Sequence, residues 1–191
     1  MQTYSTDCEY SEDIDFTCDI FDFNILKAVD ALKGYPDIVW ASPPCECFSV
    51  ASIGLHWNKD NTPKTEKAKE AVKLVEKTVE IINLIKEKNP NLIYIIENPR
   101  GKLRKLNLID PYIMKTVTYC QYGEKVMKPT DIWTNADWIP RQMCSPGDSC
   151  HESSPRGSSE TGIQGFQPND YYGKSKVPYE LCKEILKSIL W

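Results

Sequence analysis

An open α/β fold with a largely parallel sheet is predicted by three features of this 191-residue sequence. Two short apolar runs, residues 38–41 and 92–96, lack polar alternation and suit strands covered on both faces. Between them Ala68, Ala71, Val75, Val79, Ile82 and Ile85 recur at helical spacing, defining one long amphipathic helix that runs to about Lys88. Strand, helix and strand then form a crossover unit whose two strands end on the same edge of the sheet.

That edge carries chemistry. After the first run Pro43 and Pro44 fix two φ angles and remove two ladder donors, so the chain leaves the sheet and delivers Cys45 at the carboxyl end of the strand. Ligands of open α/β sheets bind at that end. The second run empties into Glu97, Asn98 and Pro99, which places a carboxylic acid opposite the thiol. Such a pair suits addition to an electron-poor ring. The thiolate attacks carbon 6 of a pyrimidine, the acid holds or protonates the ring nitrogen, and carbon 5 becomes a nucleophile. Burial of Glu97 would raise its pKa toward that role.

Length and composition are those of one domain spanning residues 1–191. The amino terminus has no secretion-signal pattern and no run is long enough to cross a bilayer, so an intracellular, membrane-free location and reduced thiols are expected for the eight cysteines. A net charge of −4 excludes coating nucleic acid by charge alone. A local basic face is still available, because Arg100, Lys102, Arg104, Lys105, Lys115, Lys125 and Lys128 all follow the second strand.

Taken in order, residues 2–6 read as a strand ending at Asp7, and residues 16–20 as a second with Asp19 near its end. Asn24 caps a helix that Gly34 closes. Residues 50–61 show no period and read as a mobile loop beside the thiol, with His56 an ordinary loop residue. Thr62 caps the long helix, with Pro63 in its first position. Residues 116–120 form a strand, Gln121 to Gly123 a turn, and residues 131–134 the return strand of a hairpin. Residues 135–176 read as a small irregular insertion, and residues 177–191 as a closing helix starting near Pro178.

The segment from Pro43 to Ser49, the Glu97-Asn98-Pro99 segment, and Gln121 to Gly123 with Asp131 to Thr134 resemble, in the same order, the blocks of DNA cytosine-5 methyltransferases, particularly small phage and viral forms. The resemblance covers most of residues 2–135. It implies a Rossmann-like sheet that binds S-adenosyl-L-methionine, and DNA as partner and substrate, with the target base extruded from the duplex. Cys45 would be the nucleophile and Glu97 the acid at the ring nitrogen. Asp19 and Ile20 would meet the cofactor's adenine, Asp7 its ribose, and Pro43 would border the same site. Pro44, Ser49, Asn98, Arg100, Lys125 and Lys128 would face the substrate. Val177-Pro178 resembles the block closing the cofactor pocket, and the insertion would carry target recognition.

Two departures from the family pattern stand out. No Phe-x-Gly-x-Gly turn follows an early strand, so the sheet is expected to lack its first, central strand; Gly157, Gly162 and Gly165 lie in the insertion, without the flanking elements such a turn needs. Either a second chain or upstream residues would supply that strand, or the sheet closes without it. Near Lys128 to Asp131 the family's paired arginines are replaced by lysines, which lack the bidentate fork. These departures motivate an alternative function, a catalytically impaired subunit or remnant that keeps the fold and binds DNA or a partner. Methylation of an exocyclic amine is a third reading, disfavoured by the cysteine at position 45. No metal is expected: Cys144, Cys150 and His151 offer three ligands, and the sequence shows no fourth.

Overall fold

The computed structural model describes residues 2–152 and 175–190. Its central sheet has four strands in the order β3-β4-β6-β5, where β3 is Ile38–Ala41, β4 Ile93–Pro99, β5 Met114–Thr118 and β6 Pro129–Thr134. Two shorter strands, β1 (Thr6–Asp7) and β2 (Phe16–Thr17), pair in parallel as a separate two-stranded sheet. Helix α1 is Ile25–Leu32, α2 is Ile53–His56, α3 is Glu66–Lys88 and α4 is Tyr179–Leu190.

The predicted crossover unit is present: β3 and β4 are parallel, with Ile38 opposite Ile93 and Ala41 opposite Ile96, and α3 connects them. The hairpin also forms, but its return strand is inserted between its partner and the crossover unit. β6 runs antiparallel to both β5 and β4. That second pairing carries β4 beyond the end of β3, so Glu97, Asn98 and Pro99 are strand residues opposite Ile132, Asp131 and Thr130 rather than the start of a loop.

Side-chain alternation along β4 and β6 divides the core. Ile96 and Trp133 pack with Ala71, Val75, Ile82 and Ile85 of α3. Ile95 and Ile132 face the other way, toward Leu181 and Ile185 of α4. By the same two-residue period Glu97 shares the α4 face and Asn98 the α3 face.

Several sequence expectations are corrected. β3 is a sheet edge and all four of its residues are only half-buried, so it is not covered on both faces. Its second edge joins no described strand, and the two sheets have not closed into one. The early strands are shorter than expected; the chain turns into a 3-10 segment at Ile20–Asp22 because the Asp19 side chain accepts from Phe21 N–H. Helix α1 is capped by Asn24 as expected, but its left-handed terminal residue is Lys33, at φ 59°, and not Gly34.

Helix α3 is capped by Thr65, whose hydroxyl accepts from Ala68 N–H; Pro63 is held extended in a bridge to Trp57, which keeps Thr62 outside the helix. The loop beside the thiol contains α2 and is anchored by Trp57, which is buried, stacks at 5.8 Å on Phe48 and donates to the Cys47 carbonyl at 2.7 Å. Helix α4 follows Pro178, whose carbonyl accepts from Leu181 and Cys182. Of the expected insertion, residues 153–174, with Gly157, Gly162 and Gly165, lie outside the described residues.

Candidate active site

The chain leaving β3 turns at once. Phe48 and Ser49 N–H both donate to the Cys45 carbonyl, at 2.9 and 3.0 Å, which winds residues 45–49 into a single turn and sets Cys45 at its start. Two contacts clamp this turn to the end of β4. Asn98 Nδ2 donates to the Pro43 carbonyl at 2.9 Å, and Lys102 N–H donates to the Phe48 carbonyl at 2.7 Å. The second is possible because residue 101 is glycine: a Cβ there would lie 2.1 Å from the Phe48 oxygen. The thiol-bearing and acid-bearing segments are thereby tied to each other at one rim of the sheet.

Cys45 is half-buried, and burial pushes its thiol above the ordinary value. The Lys128 ammonium opposes that shift, while the Glu97 carboxylate adds to it. Glu97 is buried and its pKa is raised by desolvation, against the pull of Tyr119, Lys128 and Ser42. Tyr119 Oη donates to Glu97 Oε1 at 2.7 Å, and its own pKa is raised by burial and by that carboxylate. Lys128 lies over the Tyr119 ring, its Nζ 4.9 Å from the centroid. Glu97 therefore acts on both Cys45 and Tyr119, and Lys128 acts on both Cys45 and Glu97.

Tyr119 escaped the sequence reading. It continues the alternation of β5 past its last residue, on the same side as Val117, and that period was the available signal. Asn98 also has a feature invisible in sequence: its Oδ1 is buried with no hydrogen-bond partner among the described residues.

Other predicted site residues are dispersed. Pro43 is buried beside the thiol turn, Pro44 is exposed, and Ser49 bonds the Ser52 hydroxyl at 3.0 Å. Arg100 and Lys125 are exposed. Asp7 and Asp19 lie on the separate β1–β2 unit, and each uses one carboxylate oxygen locally, accepting from Glu9 and Phe21 N–H at 2.9 Å. Ile20 opens the 3-10 segment next to them.

Much of the expected basic face turns inward. Arg104 grips the fully buried Asp131 with Nε at 2.9 Å and Nη2 at 2.5 Å, and Thr116 donates to the same carboxylate at 2.8 Å. Lys102 is buried against Asn61 Oδ1 at 2.7 Å, and Lys115 donates to the Ala136 and Trp138 carbonyls. Sequence proximity to the rim could not reveal these partners, because each lies on a different element. Two clefts lie elsewhere, along α3 against residues 107–110, and include neither Cys45 nor Glu97.

A thiol just past the end of β3 and a carboxylic acid in the part of β4 that extends beyond it, with one lysine acting on both, mark this rim as the candidate site of an α/β protein. Comparison with known proteins points to a narrower class. The chain is similar to the "Probable DNA (cytosine-5)-methyltransferase" of Frog virus 3 (isolate Goorha), at 28% identity across 91% of this chain and 84% of that protein. The similarity supports a relationship to viral-type DNA cytosine-5 methyltransferases. No family model matches the chain, and no solved structure matches it. No helix among the described residues is long and apolar enough to cross a membrane.

Proposed function

We propose that this protein methylates carbon 5 of cytosine in DNA through a covalent Cys45 adduct. The observation that carries the reading is the pairing of Cys45 and Glu97 at the shared end of β3 and β4, with Lys128 influencing both. Cys45 Sγ, as thiolate, forms a bond to carbon 6 of the ring. Glu97, which burial biases toward its neutral form, donates to the ring nitrogen and so draws charge away from carbon 6. Lys128 lowers the cost of the thiolate. Pro43 and Pro44 fix the approach of the turn, and the Asn98 clamp on Pro43 keeps the sulfur from drifting off the rim.

S-adenosyl-L-methionine supplies an electrophilic methyl group. The residues fit its nucleoside end: Asp7 and Asp19 are exposed carboxylates that would accept from its hydroxyl or amino donors. Among the described residues no glycine-rich turn cradles the methionine end. That gap, with the separation of β1–β2 from the larger sheet, favours a second reading in which the chain binds DNA or a partner without completing the transfer.

Incubation with duplex DNA containing 5-fluorocytosine and S-adenosyl-L-methionine tests the proposal. A gel-stable adduct that disappears in Cys45→Ser is expected. Absence of any adduct from a folded protein that binds the cofactor in calorimetry would overturn the covalent mechanism, and failure to bind the cofactor would select the second reading.

A further inference from the structure

The turn after β5 and the segment that follows β6 bring four metal-ligating side chains to one point. Cys120 lies in the 3-10 turn Tyr119–Tyr122, and Cys144, Cys150 and His151 come from the segment after β6. Their ligand atoms all lie within 4.8 Å of one another. Cys120 and Cys144 are both buried, yet neither belongs to either hydrophobic cluster; they are buried against each other.

The separations have the size of a coordination tetrahedron. Zinc–sulfur bonds of ~2.3 Å and zinc–nitrogen bonds of ~2.0 Å imply ligand edges of ~3.8 Å between sulfurs and ~3.6 Å between sulfur and nitrogen. Cys150 to Cys120 is 3.8 Å, Cys144 Sγ to His151 Nδ1 is 3.7 Å, and Cys150 Sγ to His151 Nδ1 is 3.5 Å. Cys120 to Cys144, at 3.1 Å, is shorter than such an edge and longer than the ~2.05 Å of a disulfide.

The surrounding backbone is arranged to hold these groups. Gly147 sits at φ 97°, and the Asp148 carboxylate accepts from Ser145 N–H at 2.7 Å, forming the reverse turn that returns Cys150 to Cys144. Cys144 N–H donates to the Thr118 hydroxyl at 3.2 Å, and Gln121 Nε2 donates to Cys150 Sγ at 3.3 Å, as outer groups that orient metal ligands commonly do.

We propose that Cys120, Cys144, Cys150 and His151 bind one structural zinc ion, with His151 ligating through Nδ1. Binding exchanges up to three thiol protons for Zn²⁺, with no change of oxidation state. All four positions are filled by protein, so the ion has no open site for chemistry. It staples the loop to the turn that begins with Tyr119, the residue hydrogen-bonded to Glu97. The site does not depend on what reaction the protein performs.

The test is metal content of the full chain purified under reducing conditions with zinc present, read by elemental analysis after gel filtration. About one zinc per chain is expected in the wild type and in Cys8→Ser, with loss of at least about ten-fold in Cys144→Ser and in His151→Ala. Cobalt titration of wild type stripped and refolded should give the visible bands of a tetrahedral thiolate site, which decides the matter if a variant does not fold. Wild-type protein without retained zinc and without those cobalt bands overturns the proposal. So does zinc content unchanged in both variants, or a Cys120–Cys144 disulfide found by mass spectrometry in the reduced preparation.

Discussion

Replacing Gly101 by alanine tests whether the thiol turn and the acid strand are held by direct contact of backbones. The new Cβ would stand 2.1 Å from the Phe48 carbonyl oxygen and 3.2 Å from its carbon. A relaxed carbon–oxygen contact needs ~3.3 Å, so the two segments must separate by about 1 Å. Both sides are backbone, and no flexible side chain can absorb the shift. The Lys102 N–H bond to the same oxygen, now 2.7 Å, would break.

Losing that buried bond costs ~1–3 kcal/mol and the overpacking a further ~1–3 kcal/mol, for ~2–6 kcal/mol in all. Urea unfolding measures the loss, and alkylation of Cys45 followed by mass spectrometry should show faster labelling as the turn loosens. Gly54→Ala is the control, since nothing lies within 4 Å of its added Cβ in α2. Gly101→Ala stability within about 0.5 kcal/mol of wild type, with unchanged Cys45 labelling, would refute the clamp.

Lys33→Gly should raise stability by up to ~1 kcal/mol in thermal unfolding, because lysine at φ 59° carries left-handed strain; a loss would mean its side chain contributes more than that strain costs. Asp131→Asn should cost ~3–5 kcal/mol in urea unfolding by leaving the Arg104 guanidinium without its charge partner, and Arg104→Met with Asp131→Val should recover part of that loss. Glu97→Gln should alter the pH dependence of stability. The folded pKa of Glu97 is raised, so the folded state holds its proton to higher pH than the unfolded chain does, and wild type loses stability as pH rises from ~4.3 through the folded value. Relative to Glu97→Gln that loss is ~1.4 kcal/mol for each unit of elevation, and a difference that stays flat with pH would contradict it.

What could be read from sequence was local or periodic. The β3 run with its two prolines, the α3 stripe and the Asn24 cap each report on neighbours within a few residues, and each element formed. Errors arose where a distant segment decided the outcome. β4 extends through Pro99 only because β6 lies beside it. Thr62 and Thr65 are both acceptable caps on local grounds, and the Trp57 to Pro63 bridge decides between them. The Arg104 charge suggested a local basic face, but its partner comes from β6. The fourth ligand of the proposed metal site, Cys120, stands on a turn preceding the other three by an entire strand.

The site's electrostatics disfavour two negative charges at once. Burial favours the neutral form of both Cys45 and Glu97, and a charge on Glu97 raises the pKa of the thiol beside it. Lys128 lowers both values and offsets a single anion. The pair therefore has two singly charged arrangements: a thiolate beside a neutral acid, which the proposed addition requires, and a thiol beside a carboxylate. The Tyr119 hydroxyl donates to Glu97 and so favours the second, unreactive one at rest. In the proposed reaction, a ring nitrogen that accepts a hydrogen bond from Glu97 would reward the protonated acid instead, and the thiol proton would pass from Cys45 to Glu97, leaving the charge on the sulfur. Arrival of the base would then be what arms the sulfur, and a half-buried thiol with a raised pKa suits a proposed nucleophile kept unreactive until its substrate is in place.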